Sequence, residues 1–487
     1  MGTTVVVDGL LGRLDSAVGR QVERLVIDHH GRRLARIGHR DVLDAPPGGW
    51  ASAGSPPRSG NRLDVHIDGA PAISELADAI DGARSFVWIA GFFFSADFRL
   101  RQDNPETLRQ LLARVAERVE VRVLAWAGAP LPLFHPDRSE VRESRDALVE
   151  GTAVRMALDD RERPLHCHHE KIAIVDGEVA YVGGIDLTTY AGDRLDSAEH
   201  PARGSLGWHD ASVGIRGPAV ADVAEHFRLR WTEVTGEELR QVTAPEPAGE
   251  VELQVVRTVP ERIYRRLPRG EFSILDSYLR ALRSARRLIY LENQFLWSPE
   301  VVSVLEEKLR NPPDDAFRLV VVLPVKPNNG NDDTRGQLGV LVVADDSAGG
   351  DDRFLACTLF QRGIGAGPVY VHAKLGIVDD RWLTVGSANL NEHSMFNDTE
   401  MNVVTHDEAL ARATRLKLWS EHLGRPAAEL EGDPAEIVDR LWRPLAQGQL
   451  ERQRQGLPLE ENLVLLPHVS RRANAILGPI NGLVVDG

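Results

Sequence analysis

The chain has 487 residues, 43% hydrophobic and 26% charged, with 72 acidic against 57 basic side chains and a formal net charge of -15. Such a composition excludes a disordered chain and supplies one large core or two packed half-domains, while the acidic balance repels a phosphate backbone and argues against a nucleic-acid partner. Only Cys167 and Cys357 are present, which excludes a disulfide framework and reads as two unpaired thiols.

Residues 1–20 lack a basic start, carry Asp8 inside a short apolar stretch and offer no small-residue cleavage site, so the segment reads as unexported and the protein as cytoplasmic. A Pro/Gly/Ser-rich stretch at 45–60 closes an N-terminal extension, 1–62. The first repeated unit, 63–247, opens with Ile73, Leu76 and Ile80 at helical spacing and runs into an apolar strand at 86–94. That run is the longest in the chain and is far short of the ~18–20 residues that span a bilayer. Asn104-Pro105-Glu106 reads as a capped helix start, and a buried strand follows at 119–126. Next come His166-Cys167-His168-His169, Lys171, Asp176, Gly183-Gly184, Asp186 and Trp208-His209-Asp210.

A linker at 243–249 separates this unit from a second, 248–430. Ile274, Tyr278 and Leu282 mark a helix, 288–296 a strand, Ser298-Pro299-Glu300 a helix start and 317–325 another strand. The Arg-rich stretches 262–269 and 280–287 read as solvated helix faces, and the acidic loops 330–336 and 345–352 as solvated connections. His372-Ala373-Lys374, Asp379, Gly386-Ser387, Asn389 and Glu400 follow, then a tail at 431–487. Apolar strands alternating with amphipathic helices predict an α/β chain whose sheets are covered by helices.

The two units say the same thing twice. Both contain H-x-K-x4-D-x6-G-[GS], with His169 and His372 lying 203 residues apart, and 79–88 aligns without gaps to 281–290. From this composition one such match arises by chance on the order of once in ten thousand sequences. Lysine is scarce, five against 52 arginines, yet Lys171 and Lys374 are both in the motifs, which points to a need for a compact three-donor ammonium.

His and Lys at i and i+2 of a strand share one face. If the two units pack about a pseudo-two-fold axis, two imidazoles and two ammonium groups converge, a set suited to phosphoryl transfer. One neutral His attacks phosphorus, the other donates a proton to the leaving oxygen, and the lysines neutralise the non-bridging oxygens. Asp210 and Glu400 are candidates to orient the rings, and Asp176 and Asp379 to tie down the turn after each strand. The pair Gly183-Gly184 allows close backbone approach to a ligand, Ser387 is the supporting residue in the matching place, and Asp186 and Asn389 are candidate phosphate-side contacts. The 166–169 cluster offers nitrogen ligands, but without CxxC, HExxH or a further ligand at usable spacing no metal and no cofactor is expected.

At these residues the chain resembles the phospholipase D superfamily. His168-His169-Glu170-Lys171, Trp208-His209-Asp210, Ile215-Arg216-Gly217-Pro218, Glu292-Asn293-Gln294-Phe295, Gly386-Ser387-Ala388-Asn389 and Asp398-Thr399-Glu400 are similar to its segments, over about 61–425. The 416–423 segment resembles the phospholipid-cleaving branch. The resemblance implies two homologous α-β-α-β-α sandwich lobes sharing one active site, a phosphohistidine on His169 with His372 as acid, and transfer to water or an alcohol. It departs at Asp186, where Asn is frequent, and at His393, where Arg is usual. The expected function is hydrolysis of the headgroup phosphodiester of glycerophospholipids by a monomer that visits membrane surfaces. A cardiolipin-synthase-like transferase, a nuclease and a non-catalytic lipid binder are the alternatives.

Overall fold

The computed structural model describes residues 10–101, 103–131, 135–163, 166–188, 207–326, 333–347, 352–363 and 367–466. The first half forms β1 (Arg58–Ile67), β2 (Phe86–Gly91), β3 (Glu120–Trp126), β4 (Arg155–Asp159), β5 (Lys171–Val175), β6 (Val179–Gly183), β7 (Gly207–His209) and β8 (Ala211–Arg216). The second forms β9 (Val251–Val259), β10 (Glu271–Phe272), β11 (Leu288–Glu292), β12 (Arg318–Val322), β13 (Phe354–Phe360), β14 (Pro368–Val371), β15 (Leu375–Val378), β16 (Trp382–Gly386), β17 (Glu400–Thr405) and β18 (Leu463–Leu465).

One sheet runs in the order β1-β8-β6-β5-β2-β3-β4. The other runs β9-β17-β16-β15-β11-β12-β13. Position by position the two orders match, and in each only the last two pairings are parallel. The sheets meet where β1 pairs with β9 and where β7 pairs with β14.

Side chains alternate along each strand, and the alternation builds the layers. Val87 and Ile89 pack outward with the helices Gly69–Asp81 and Leu108–Ala116. Phe86, Trp88 and Ala90 turn inward onto the helix Val220–Thr235. In the second half Ile289 and Leu291 meet the helices Ser273–Ser284 and Pro299–Arg310, while Leu288 and Tyr290 face the helix Glu408–Leu423. The inward set forms a single central cluster shared by both sheets. The result is the five-layer α-β-α-β-α sandwich expected, with each buried Leu, Val or Phe contributing about 1.5–3 kcal/mol.

Four local expectations need correction. The first-half helix starts at Leu108, because Thr107 and Gln110 form a reciprocal capping box, whereas Asn104 only accepts the Glu106 amide in a turn. His169 precedes β5 instead of lying on it. Residues 262–269 are turns, not a helix face, and in 280–287 Arg280 and Arg283 are engaged with Asp276 and with the Leu43 and Ala45 carbonyls. Asp345 and Asp346 end a helix, Asp333–Ser347, that also takes in 333–336; residues 327–332 and 348–351 lie outside the described set. Both cysteines are buried and not disulfide-bonded.

Two terminal additions dock on the second half. The helix Leu10–Ile37 is pinned through His30, which contacts Glu300 at 2.7 Å and Glu392 at 3.0 Å, and through Arg33, bound to Glu261, Asn397 and the Phe396 carbonyl. At the other end β18 extends the sheet by pairing with β13. Among the described residues no helix is long and apolar enough to cross a membrane.

Candidate active site

The two halves exchange backbone at their junction. The amides of His169 and Glu170 both donate to the carbonyl of Thr399, at 2.9 and 3.0 Å, and those of His372 and Ala373 both donate to the carbonyl of His209, at 2.7 and 3.1 Å. These are the same contact made twice in opposite senses, as a pseudo-two-fold axis requires. They set each His-bearing segment against the segment of the other half that carries a carboxylate.

The side chains cross in the same way. His169 Nδ1 contacts Glu400 Oε1 at 2.9 Å, and His372 Nδ1 contacts Asp210 Oδ2 at 2.7 Å. A carboxylate at Nδ1 fixes the tautomer and leaves Nε2 as the reactive edge. Each ring thus takes its carboxylate from the opposite half, although in sequence each acid follows the other motif. All four groups are buried.

Both lysines fold back on their own motif: Lys171 Nζ donates to the His169 carbonyl at 2.6 Å, Lys374 Nζ to the His372 carbonyl at 2.5 Å. Lys171 also lies 3.4 Å from Asp186 and 5.5 Å from the centre of the Phe92 ring, whereas Lys374 donates to Gln294 Oε1 at 3.1 Å. Gln294 in turn donates to Tyr370 Oη at 2.9 Å. Asn389, the repeat counterpart of Asp186, is fully buried.

The motif aspartates stand at a distance from this cluster. Asp176 accepts from the amides of Arg84, Ser85 and Phe86, and Asp379 from those of Arg286, Arg287 and Leu288. Both adopt positive φ, 57° and 54°, so each is a turn residue whose carboxylate caps the start of the central strand. At Gly184 a Cβ would lie 2.3 Å from Asp210 Oδ1, so the glycine makes room for the carboxylate that holds His372. Its counterpart Ser387 instead donates its hydroxyl to Glu400, which also accepts from Ser394 Oγ at 2.5 Å.

Behind the rings lie two buried ionic networks. Burial raises the Glu170 pKa, but Arg230 and then His226 outweigh it and hold the carboxyl at about 2. In the second half burial likewise opposes ionisation of Glu292, yet His209 and His422 hold its pKa well below the usual carboxylate range. The contacts at 3.1 Å to His226 and at 2.7 and 2.8 Å to His209 and His422 are closed within the protein.

Sequence reasoning gave no role to Phe92, Gln294, Tyr370 or Ser394. The first two were within reach, because the gapless alignment of 79–88 with 281–290, carried four residues further, sets Phe92 against Gln294 beside the two lysines. Tyr370 and Ser394 have no such signal.

A family model described as "Cardiolipin synthase, PLD-like domain" matches residues 357–420, which include the second motif. Phospholipase D A of Dictyostelium discoideum is 26% identical over 464 residues, covering 76% of this chain and 36% of that protein. Phospholipase D alpha 4 of Arabidopsis thaliana is 26% identical over 499 residues, covering 74% and 64%, and Phospholipase D2 of Bos taurus 23% over 531, covering 81% and 56%. The chain therefore spans between about a third and two thirds of these relatives. The crystal structure of phosphatidylserine synthase from Haemophilus influenzae Rd KW20 shares the fold, with a TM-score of 0.50 at 11% identity over 86% of this chain and 97% of that one. Twinned sheets, a doubled His-x-Lys motif at their junction and relatives that match about three quarters of the chain converge on a likeness to the phospholipase D superfamily.

Proposed function

We propose that this protein is a phospholipase D-type phosphodiesterase that cleaves the headgroup bond of glycerophospholipids to phosphatidic acid. The observation that carries the reading is the crossed pair of His–carboxylate contacts, His169–Glu400 and His372–Asp210, flanked by Lys171 and Lys374. Nuclease activity is disfavoured by the net charge of -15, and a non-catalytic role by retention of both histidines and both lysines.

In the proposed reaction His169 Nε2 attacks phosphorus and the P–O bond to the headgroup breaks. His372 gives its Nε2 proton to the departing oxygen. His372 then takes a proton from water, whose oxygen attacks the phosphohistidine and releases phosphatidic acid; an alcohol in place of water gives the transfer product. The second-half environment supports this division of roles. Glu400 also accepts from the Ser387 and Ser394 hydroxyls, whereas Asp210 faces Gly184, so the two rings sit in unlike settings. Lys171, Lys374 and Gln294 are placed to hold the non-bridging oxygens.

Purified protein given labelled phosphatidylcholine and ethanol should yield phosphatidic acid and phosphatidylethanol, and His169→Ala and His372→Ala should yield neither. Product from either variant at close to the wild-type rate would sink the mechanism, and no product from wild type would remove phosphatidylcholine as substrate. The match to a cardiolipin synthase model favours one second reading, transfer to a lipid hydroxyl. Incubation with phosphatidylglycerol alone separates the two: cardiolipin supports transfer, phosphatidic acid supports hydrolysis.

A further inference from the structure

We propose that His166, His393 and Asp398 form a binding site for a zinc-type divalent ion that ties the two halves together beside the active site. The inference does not depend on the lipid reading. His166 lies on the segment leading to His169, and His393 and Asp398 bracket the π-helical turn His393–Asn397 that leads to Glu400. An ion held by all three would fix the segment carrying one reactive ring against the segment carrying its carboxylate.

Geometry favours an ion over hydrogen bonding alone. The two Nδ1 atoms face each other at 2.9 Å, His166 Nδ1 lies 3.5 Å from Asp398 Oδ1, and His393 Nδ1 lies 3.8 Å from Asp398 Oδ2. A tetrahedral ion with bonds of about 2.0–2.2 Å separates its ligands by roughly 3.3–3.6 Å, within this range. Without an ion, one imidazole N–H donates to the other ring and the carboxylate is left out. Asp398 Oδ1 accepts the Cys167 amide at 2.9 Å, but Oδ2 has no hydrogen-bond donor although Asp398 is fully buried. An orphaned buried carboxylate oxygen costs about 1–3 kcal/mol or more, and a cation at the centre of the three ligands removes that cost. His166 is partly exposed, which provides both an entry path and a position for water as fourth ligand.

Among the described residues three other clusters bring similar atoms together, and in each a carboxylate contacts a ring directly at 2.9 Å or less. In His209, Glu292 and His422 the carboxylate accepts directly from both rings. Asp68 likewise contacts His209 directly at 2.9 Å, in the cluster with Glu421. In His135, Asp137 and Glu140 both carboxylates are committed to capping the helix Arg138–Val149.

The test uses full-length protein stripped of metal by dialysis against a chelator and titrated with Co2+ alone, read by visible d–d absorption, with zinc content measured in parallel on undialysed protein. Wild type should bind one equivalent of Co2+ in a low-symmetry nitrogen/oxygen site and carry close to one zinc per chain. His166→Gln, at a partly exposed position where folding is readily checked by circular dichroism, should lose the band, as should Asp398→Asn. His135→Gln should leave the band unchanged. Absence of the band and of stoichiometric zinc in wild type, or a band that survives His166→Gln, overturns the site.

Discussion

The two halves share a backbone and differ in chemistry. Strand order, the amide pair on the opposite carbonyl and the aspartate that caps the central strand are all repeated. Around the reactive groups the copies diverge: Asp186 against Asn389, Phe92 against Gln294, Gly184 against Ser387, Asp210 against Glu400. Duplication supplies two histidines that are equivalent by descent, and a reaction needing one base and one acid requires them to become inequivalent. Phe92, Asp186, Gln294, Asp210 and Glu400 meet the His and Lys side chains directly, while Gly184 and Ser387 act on the two acids.

Substitutions across this pairing separate what is shared from what has diverged. The largest loss is expected for His169→Ala and His372→Ala, about 10²- to 10⁴-fold or more in kcat/KM for either. The carboxylates come next, and they should part company. Asp210→Asn, which removes the carboxylate that orients His372, should cost roughly 10²-fold on a phosphodiester with an alkyl leaving group and far less with an activated phenol, since that leaving group needs no proton. Glu400→Gln should slow both substrates alike; if the two variants show the same leaving-group dependence, the acid and nucleophile are not assigned as proposed. Gly184→Ala should mimic Asp210→Asn, because its methyl displaces that carboxylate, whereas Ser387→Ala should cost only about 1 kcal/mol of positioning.

A smaller effect tests the outer attachment of the second half. Burial lowers the His30 pKa, but hydrogen bonds to Glu300 and Glu392 outweigh it and raise the pKa from 6.5 to about 9. Because the folded value is the higher one, its stabilisation is fully present below about pH 6.5 and is lost as pH rises through about 9. Hydrogen exchange in the helix Leu10–Ile37 should therefore accelerate above that pH in wild type. In His30→Gln the exchange should be faster already at neutral pH and lack the step. Glu170 in the first half has the opposite sign: its contribution is present above about 4.5 and lost as pH falls through about 2.

The sandwich was readable from the sequence because strand alternation and helix spacing are strong within 86–94 and 288–296, and because the repeat doubles every weak signal. The anchoring role of Asp176 and Asp379 was readable for the same reason. The helix start at Leu108 was missed because Asn104-Pro105-Glu106 has the right residues, and only the paired Thr107 and Gln110 distinguish the true cap. The strand β1 lay in part under a Pro/Gly/Ser-rich stretch, and β18 in a tail with no repeat partner. The crossing of Asp210 and Glu400 between halves was not legible, since periodicity reports which face a residue takes and not which neighbour that face meets. Tail residues 467–487 fall outside the described set.

The crossed carboxylates also constrain the history of the chain. Because each ring is partnered by an acid from the other half, neither half alone holds a complete ring-and-acid couple. A single ancestral copy could assemble that couple only by pairing with another copy of itself, and in such a homodimer every substitution struck both couples at once. Fusion into one reading frame released that constraint, so that one acid could settle as aspartate facing a glycine and the other as glutamate facing a serine.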